Sequence, residues 1–200
     1  MTIAVLRLSE GLRPTVLAHF LSLPAADLYL RFGTALPPRA ISGYVARLDF
    51  ERAAVLGVHD ADLTLAGVAH VALEGSGAEI GMSVLPGHRR RGIAQALFRR
   101  AIEHARNRGL ATLGMQCLSS NAAILRMAQR LGMDIVLRGI EAQARLGLPE
   151  RSIASTVGER IADAFAACDS AFKAFLAGWS HRIRGCRSGE STRPASASGD

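Results

Sequence analysis

The alternation of apolar and polar positions divides the chain into stretches of different period. Ala4 to Leu8 reads as a first strand, and Glu10 to Leu21 carries Leu12, Val16, Leu17 and Phe20 near the helical period. Pro24 closes that piece and a short segment follows around Ala26 to Phe32. Pro37 and Pro38 then open a helix through Leu48, since proline is tolerated in a first helical turn. From Arg52 the pattern becomes that of strands. Ala53 to Val58, Leu63 to Leu73 and Ala78 to Leu85 are rich in Val, Leu, Ile and Ala, and turn formers separate them at His59-Asp60-Ala61-Asp62 and Glu74-Gly75-Ser76-Gly77. Three consecutive antiparallel strands are predicted there. Gly92 to Asn107 is an amphipathic helix through Ile93, Ala96, Leu97, Ala101, Ile102 and Ala105, with Gly109 as a left-handed cap. Ala111 to Cys117 reads as a strand, Asn121 to Leu131 as a helix closed by Gly132, and Met133 to Arg138 with Ala142 to Leu146 as closing strands. The order predicts an α+β domain over residues 1–148, a mixed, mostly antiparallel central sheet flanked by helices.

Beyond Pro149 the pattern changes again. Ile161, Phe165, Cys168, Phe172, Phe175, Leu176 and Trp179 recur at steps of three and four, which predicts a C-terminal amphipathic helix within residues 149–184. That face either packs on its own domain or meets a partner, a second copy of the chain included. Residues 185–200, rich in Ser, Gly, Pro and Ala, predict a disordered tail.

Composition narrows the function class. A chain of 200 residues with 49% hydrophobic content and a mean hydropathy of +0.19 can bury a sizeable core. No run reaches the roughly 18 apolar residues that a membrane span needs, and Met1 to Leu8 lacks the pattern of a secretory signal. A soluble, cytoplasmic protein with no membrane partner is expected. Cys117, Cys168 and Cys186 show no ligand spacing, and the six histidines have no carboxylate cluster beside them, so no metal site is expected. The net charge of +7 is unevenly placed: residues 1–86 carry 6 basic and 8 acidic groups, residues 87–147 carry 11 and 3, and residues 148–200 carry 7 and 6. One middle segment holds the excess, which points to a local anionic ligand.

That segment is Val84-Leu85-Pro86-Gly87-His88-Arg89-Arg90-Arg91-Gly92-Ile93-Ala94, a strand end passing through a loop into a helix. A helix N-terminus offers unpaired N–H groups and the positive end of the macrodipole. Gly92 and Ala94 let an anion approach the backbone, and Arg89 to Arg91 add charge, with Arg99 and Arg100 further on. A solvated arginine face is the plain alternative. No GxxxxGK[ST] is present, which excludes a P-loop, and no GxGxxG, which removes a dinucleotide fold. Nucleic-acid binding through His88 to Arg91 and Arg99-Arg100 is weakened by the 5% aromatic content and the lack of a recognisable module.

Arg89-x-x-Gly92-x-Ala94 after a Val-x-Pro strand end resembles the acyl-CoA pyrophosphate motif of the GCN5-related N-acetyltransferase (GNAT) family. Asn121-x-x-Ile124-x-x-Met127-Ala128-x-Arg130-Leu131-Gly132-Met133 looks like that family's later motif, Asn-x-x-Ala-x-x-Leu-Tyr-x-Lys-Leu-Gly-Phe, in the right order and at the usual separation. The likeness covers Leu63 to Leu146. Leu21-Ser22, Tyr29 to Phe32, Leu48-Asp49 and Ala78 to Val84 further resemble the acetyltransferase domain of bacterial protein-lysine acetyltransferases.

The resemblance implies acetyl-CoA as cosubstrate and direct attack of a primary amine, a protein lysine or a small molecule, on the thioester. It implies cofactor-binding roles for Met82, Ser83, Val84, Arg89, Arg90, Arg91, Gly92, Ile93, Ala94 and Asn121. Three tasks follow: a proton must leave the ammonium, the oxyanion needs a donor, and the thiolate must be protonated or stabilised. Glu79 corresponds to the acidic residue of the protein-acetylating group and is the expected base, against the reading of a hydrogen-bonded strand carboxylate. Backbone N–H groups near Met82 to Val84, or that of Leu85, are the candidate oxyanion donors. Asn121 is also well suited to cap the helix it opens. The chain departs from the family at Ala128, where tyrosine is usual, while Tyr29 and Tyr44 belong to the N-terminal lobe. Solvent, Ser119 or Ser120 would then serve the thiolate, and a catalytically degenerate acyl-CoA sensor is the alternative function. Cys117 has no base beside it in sequence and reads as a core thiol; His88 reads as facing solvent and His70 as a core or rim residue.

Overall fold

The computed structural model describes residues 3–149. The expected C-terminal helix, the dimer face on it and the tail lie outside the described residues. Among the described residues seven strands form one sheet in the order β1-β2-β3-β4-β5-β7-β6: β1 (Leu6–Arg7), β2 (Ala54–His59), β3 (Leu65–Glu74), β4 (Gly77–Val84), β5 (Thr112–Leu118), β6 (Asp134–Arg138) and β7 (Glu141–Gly147). All neighbours pair antiparallel except β4 and β5. That parallel pair needs a crossover, and α4 (Ile93–Asn107) supplies it.

The expected elements are present with shifted ends. The first strand shrinks to two residues, and the first helix splits into a 3-10 turn at Glu10–Leu12 and α1 (Arg13–Leu21), with Pro14 in its opening turn. The unassigned segment after Pro24 is a full helix, α2 (Ala25–Phe32), and α3 (Pro38–Ala46) follows. In α4 the apolar stripe of Ile93, Leu97, Phe98, Ala101 and Ala105 is buried against the sheet, and Gly109 at φ 72° ends the helix. Helix α5 (Ala122–Arg130) ends the same way at Gly132, φ 73°.

Two cores result, one on each face. Ala54, Leu56, Ala69, Val71, Ile80, Leu113 and Met115 pack with α4 and with Ala128 of α5. On the opposite face Val55, Leu65 and Val68 meet Val16, Phe20, Leu28, Ile41 and Val45 of α1 to α3. A residue on β4 therefore faces one helical layer or the other by its parity.

Candidate functional site

The site begins where the two parallel strands separate. β4 and β5 pair only at Gly77–Thr112, Ala78–Leu113 and Glu79–Gly114; beyond these β4 keeps its bonds to β3 while β5 pairs with β7 alone. A groove of about 550 Å³ opens in the gap, lined on the β4 side by Ile80 to Val84 and on the β5 side by Met115, Gln116 and Cys117. The backbone of the parted strand is available from one edge. Leu85 N–H donates to Ala66 O on β3 at 2.9 Å, so by alternation the polar groups of Met82 and Val84 face the gap. This corrects the sequence expectation for Leu85, whose N–H is engaged in the sheet.

At the outer end the groove meets the start of α4. Among the described residues no side chain caps this helix, so the N–H groups of its first turn are left for an anion. Gly92, the N-cap, stands at φ 83°, and Arg90 takes the left-handed conformation at φ 63°. Only glycine adopts the first without strain. Arg90 carries a side chain there, and such residues persist where surrounding structure fixes them, often at ligand clamps. Arg89, Arg90, Gly92, Ile93 and Ala94 line the groove, whereas Arg91 is exposed and lies outside its lining. Arg89 Nε donates to Val84 O at 3.2 Å, and Arg89 pairs with Asp27 of α2 at 2.5 Å. Arg100 is 5% exposed on the core side of α4, which withdraws it from any surface phosphate site. His88 faces the Asp60 carboxylate at 3.3 Å and borders the groove rather than open solvent.

Across the groove α5 contributes Ile124, Met127, Arg126 and Arg130. Asn121 Oδ1 accepts the Ile124 N–H at 3.3 Å, so this residue is a helix cap, and it also lines the groove. Ala128 is fully buried in the core. Cys117 lines the groove instead of lying in the core, but burial pushes its thiol up, which keeps it protonated.

The wall formed by α1 to α3 was poorly visible in the sequence. Glu79, Gly81 and Ser83 face it. Glu79 sits at the last paired position before the strands part and is half-buried outside the lining; burial, with the nearby Glu74, raises its pKa against the pull of Arg31. The Arg31 guanidinium lies on Gly81, and a Cβ there would overlap it. Arg31 Nη2 donates to Tyr44 Oη at 3.3 Å, and Tyr44 Oη lies 3.4 Å from His70 Nδ1. Burial, with the Arg31 charge, holds His70 down at about 4, so it is a neutral rim residue at neutral pH. Tyr44 is thus close to β4 in space although its hydroxyl is committed to Arg31 and His70. His19 of α1 bonds Ser83 Oγ at 2.8 Å.

A parallel strand pair that separates beside an uncapped, arginine-flanked helix start defines a binding site for an extended ligand with an anionic end. The family model described as "Acetyltransferase (GNAT) family" matches residues 20–133, and the chain belongs to that family of acyl-CoA N-acyltransferases. Acetyl-CoA is the family's cosubstrate, and the residues present fit it: the open N–H groups at α4 suit a pyrophosphate and the gap-facing backbone of Met82 and Val84 suits an amide-bearing arm. No curated protein sequence matches the chain. Among solved structures, the fold is similar to the GNAT domain of S. lividans PAT, at 18% identity and a TM-score of 0.65, covering 72% of this chain and 89% of that one. It is also similar to the ribosomal-protein-S18-alanine N-acetyltransferase of Escherichia coli, at 19% identity and 0.55, covering 76% and 96%. A third similar structure is yncA of Salmonella typhimurium with its cofactor acetyl-CoA, at 18% identity and 0.58, covering 76% and 97%.

Proposed function

We propose that residues 1–148 form a cytoplasmic domain that transfers an acetyl group from acetyl-CoA to a primary amine by direct attack on the thioester. The observation that carries this reading is the parting of β4 and β5 next to the open N-terminus of α4, in a chain of an acetyltransferase family. Phosphates are held by the first-turn N–H groups of α4 with Arg90 and, once released from Asp27, Arg89. Met82 or Val84 N–H receives the developing oxyanion. Glu79 is the base, through water, for the incoming ammonium. Burial raises its pKa, which makes it a stronger base than an ordinary carboxylate. The resemblance of Tyr29 to Phe32 and Ala78 to Val84 to protein-lysine acetyltransferases favours a protein lysine over a small amine.

The test uses the purified full chain with acetyl-CoA and a panel of amines that includes lysine peptides, read as CoA thiol release. Glu79→Gln should keep acetyl-CoA affinity and lose roughly 10²-fold in turnover. Unchanged turnover removes Glu79 from the role. The burial of Ala128 where the family's motif has tyrosine supports a second reading, an acyl-CoA sensor without turnover. Stoichiometric binding with no thiol release on any amine, a whole-proteome acceptor mixture included, would establish that reading instead.

A further inference from the structure

Ser83 and His19 are separated by 64 positions in sequence and meet at 2.8 Å, His19 Nε2 to Ser83 Oγ. The other ring nitrogen, Nδ1, lies 2.7 Å from Leu65 O. A carbonyl can only accept, so Nδ1 carries the proton, Nε2 of the neutral ring is bare, and the Ser83 hydroxyl must donate to it. His19 is 2% exposed, with its ring edge-on to Phe20, so the arrangement is held by packing. Burial pushes its imidazolium pKa down, which leaves the ring neutral and able to accept. Ser83 lines the groove between Met82 and Val84, the two residues whose backbone faces the parted strands. An apolar pair would join α1 to β4 at least as well, because a buried hydrogen bond adds only about 1 kcal/mol net.

Resting on the transfer reading above, we propose that Ser83 and His19 form a proton-transfer pair that moves the second proton of the acceptor nitrogen to the departing sulfur. An alkylammonium has two protons to lose. The first goes to Glu79, giving the free amine. Attack forms the N–C bond and leaves a tetrahedral adduct with a positive nitrogen bearing two hydrogens and a negative oxygen. The second proton passes from that nitrogen to Ser83 Oγ as the serine's own proton moves to His19 Nε2. The C=O bond re-forms, the C–S bond breaks and its electron pair stays on sulfur. The thiolate takes a proton from Ser83 Oγ, which regains one from His19. The products are the acetamide and CoA thiol, and the proton on Glu79 returns to solvent. His19 is neutral at both ends of the cycle. Ser83 is the catalytic group of the pair; His19 acts through it and is a positioning residue. This route supplies the proton to sulfur that the usual tyrosine would give and that Ala128 cannot.

The experiment is a double-mutant cycle on the full chain, with acetyl-CoA and two probe acceptors, N-α-acetyl-lysine methylamide and phenethylamine. Ser83→Ala should lower kcat about 10²-fold with the KM for acetyl-CoA unchanged. Ser83→Thr, which keeps a hydroxyl, should recover most of the rate. His19→Phe should cost about as much as Ser83→Ala, and the double variant no more than either, because the two act as one unit. A kcat for Ser83→Ala within twofold of wild type, or single effects that multiply, would overturn the pair. Nitrogen NMR of the wild-type His19 ring gives a readout independent of turnover and of mutant folding: a protonated Nε2 at neutral pH also overturns it. Loss in Glu79→Gln without loss in Ser83→Ala removes the pair and leaves the transfer reading standing. Absence of acetylation of either probe by wild type removes the pair's role for want of a reaction.

Discussion

Acidification should weaken the fold through His70, and the amount can be worked from its surroundings. The ring is partly buried on β3 beside Tyr44 Oη and within the field of Arg31, which hold its pKa at about 4 against an ordinary value of 6.5. The sign follows from proton uptake. Between about 4 and 6.5 the unfolded chain binds a proton that the folded chain refuses, so stability is full above 6.5 and is lost as pH falls toward 4. At about 1.4 kcal/mol per pH step, moving from pH 7 to pH 5 would cost about 2 kcal/mol if the ring felt no solvent. Screening at a partly buried position brings this to roughly 1 kcal/mol. Urea unfolding of wild type and His70→Gln at the two pH values measures it. His19 shifts in the same direction but is present in both proteins, so it cancels in the difference. The wild-type protein should lose about 1 kcal/mol more than the variant. Equal losses, or a His70 pKa at or above 6.5 by NMR, would refute the reasoning.

Three further outcomes follow from the site. Gly92→Val places a β-branched side chain at φ 83° and disturbs the N–H groups that open α4, so acetyl-CoA affinity should fall by about tenfold or more; calorimetric affinity within twofold of wild type would show the loop to be misassigned. Asp27→Ala frees Arg89 from its 2.5 Å ion pair and should tighten acetyl-CoA binding about threefold, the measure of a partly exposed pair; weaker binding would mean that Asp27 orients the arginine instead. The raised pKa of Glu79 has two readouts. Its charged form is disfavoured in the folded chain, so stability is highest below the ordinary carboxylate value and declines as pH rises through the raised one. Glu79→Gln should therefore be at least as stable as wild type at pH 7 by thermal unfolding, while wild-type kcat rises with pH over the same window. A variant less stable than wild type would show that the carboxylate is held by favourable contacts.

Local patterns carried most of the fold. The stripe of α4, the left-handed caps at Gly109 and Gly132 and the three strands from Arg52 are written in spacing that neighbours along the chain enforce. The Val84 to Ala94 segment was legible for the same reason, since a loop and the helix it opens are contiguous. What escaped were contacts between distant residues. Nothing near Arg31 tells that its guanidinium rests on Gly81, and the His19–Ser83 bond spans two elements that meet only when α1 folds across the sheet. The commitment of Leu85 N–H depends on the β3 register, and the burial of Arg100 on which side of α4 meets the sheet. The sequence marks α2 only as a short segment because its eight residues hold one buried side chain, Leu28, too few to mark a period.

On the proposed transfer reading, the Arg89–Asp27 pair gives the two substrates a thermodynamic connection. One arginine cannot satisfy a phosphate and this carboxylate equally well. A phosphate that recruits Arg89 leaves Asp27, 16% exposed on the groove wall, with an uncompensated negative charge. The wall therefore becomes most attractive to an ammonium once the acyl donor is seated. By reciprocity a cation held at Asp27 tightens the donor by the same factor. Donor and acceptor are thus coupled through a single swap of partners, which favours an ordered sequence with acetyl-CoA first, the Arg89–Asp27 pair re-forming as CoA leaves.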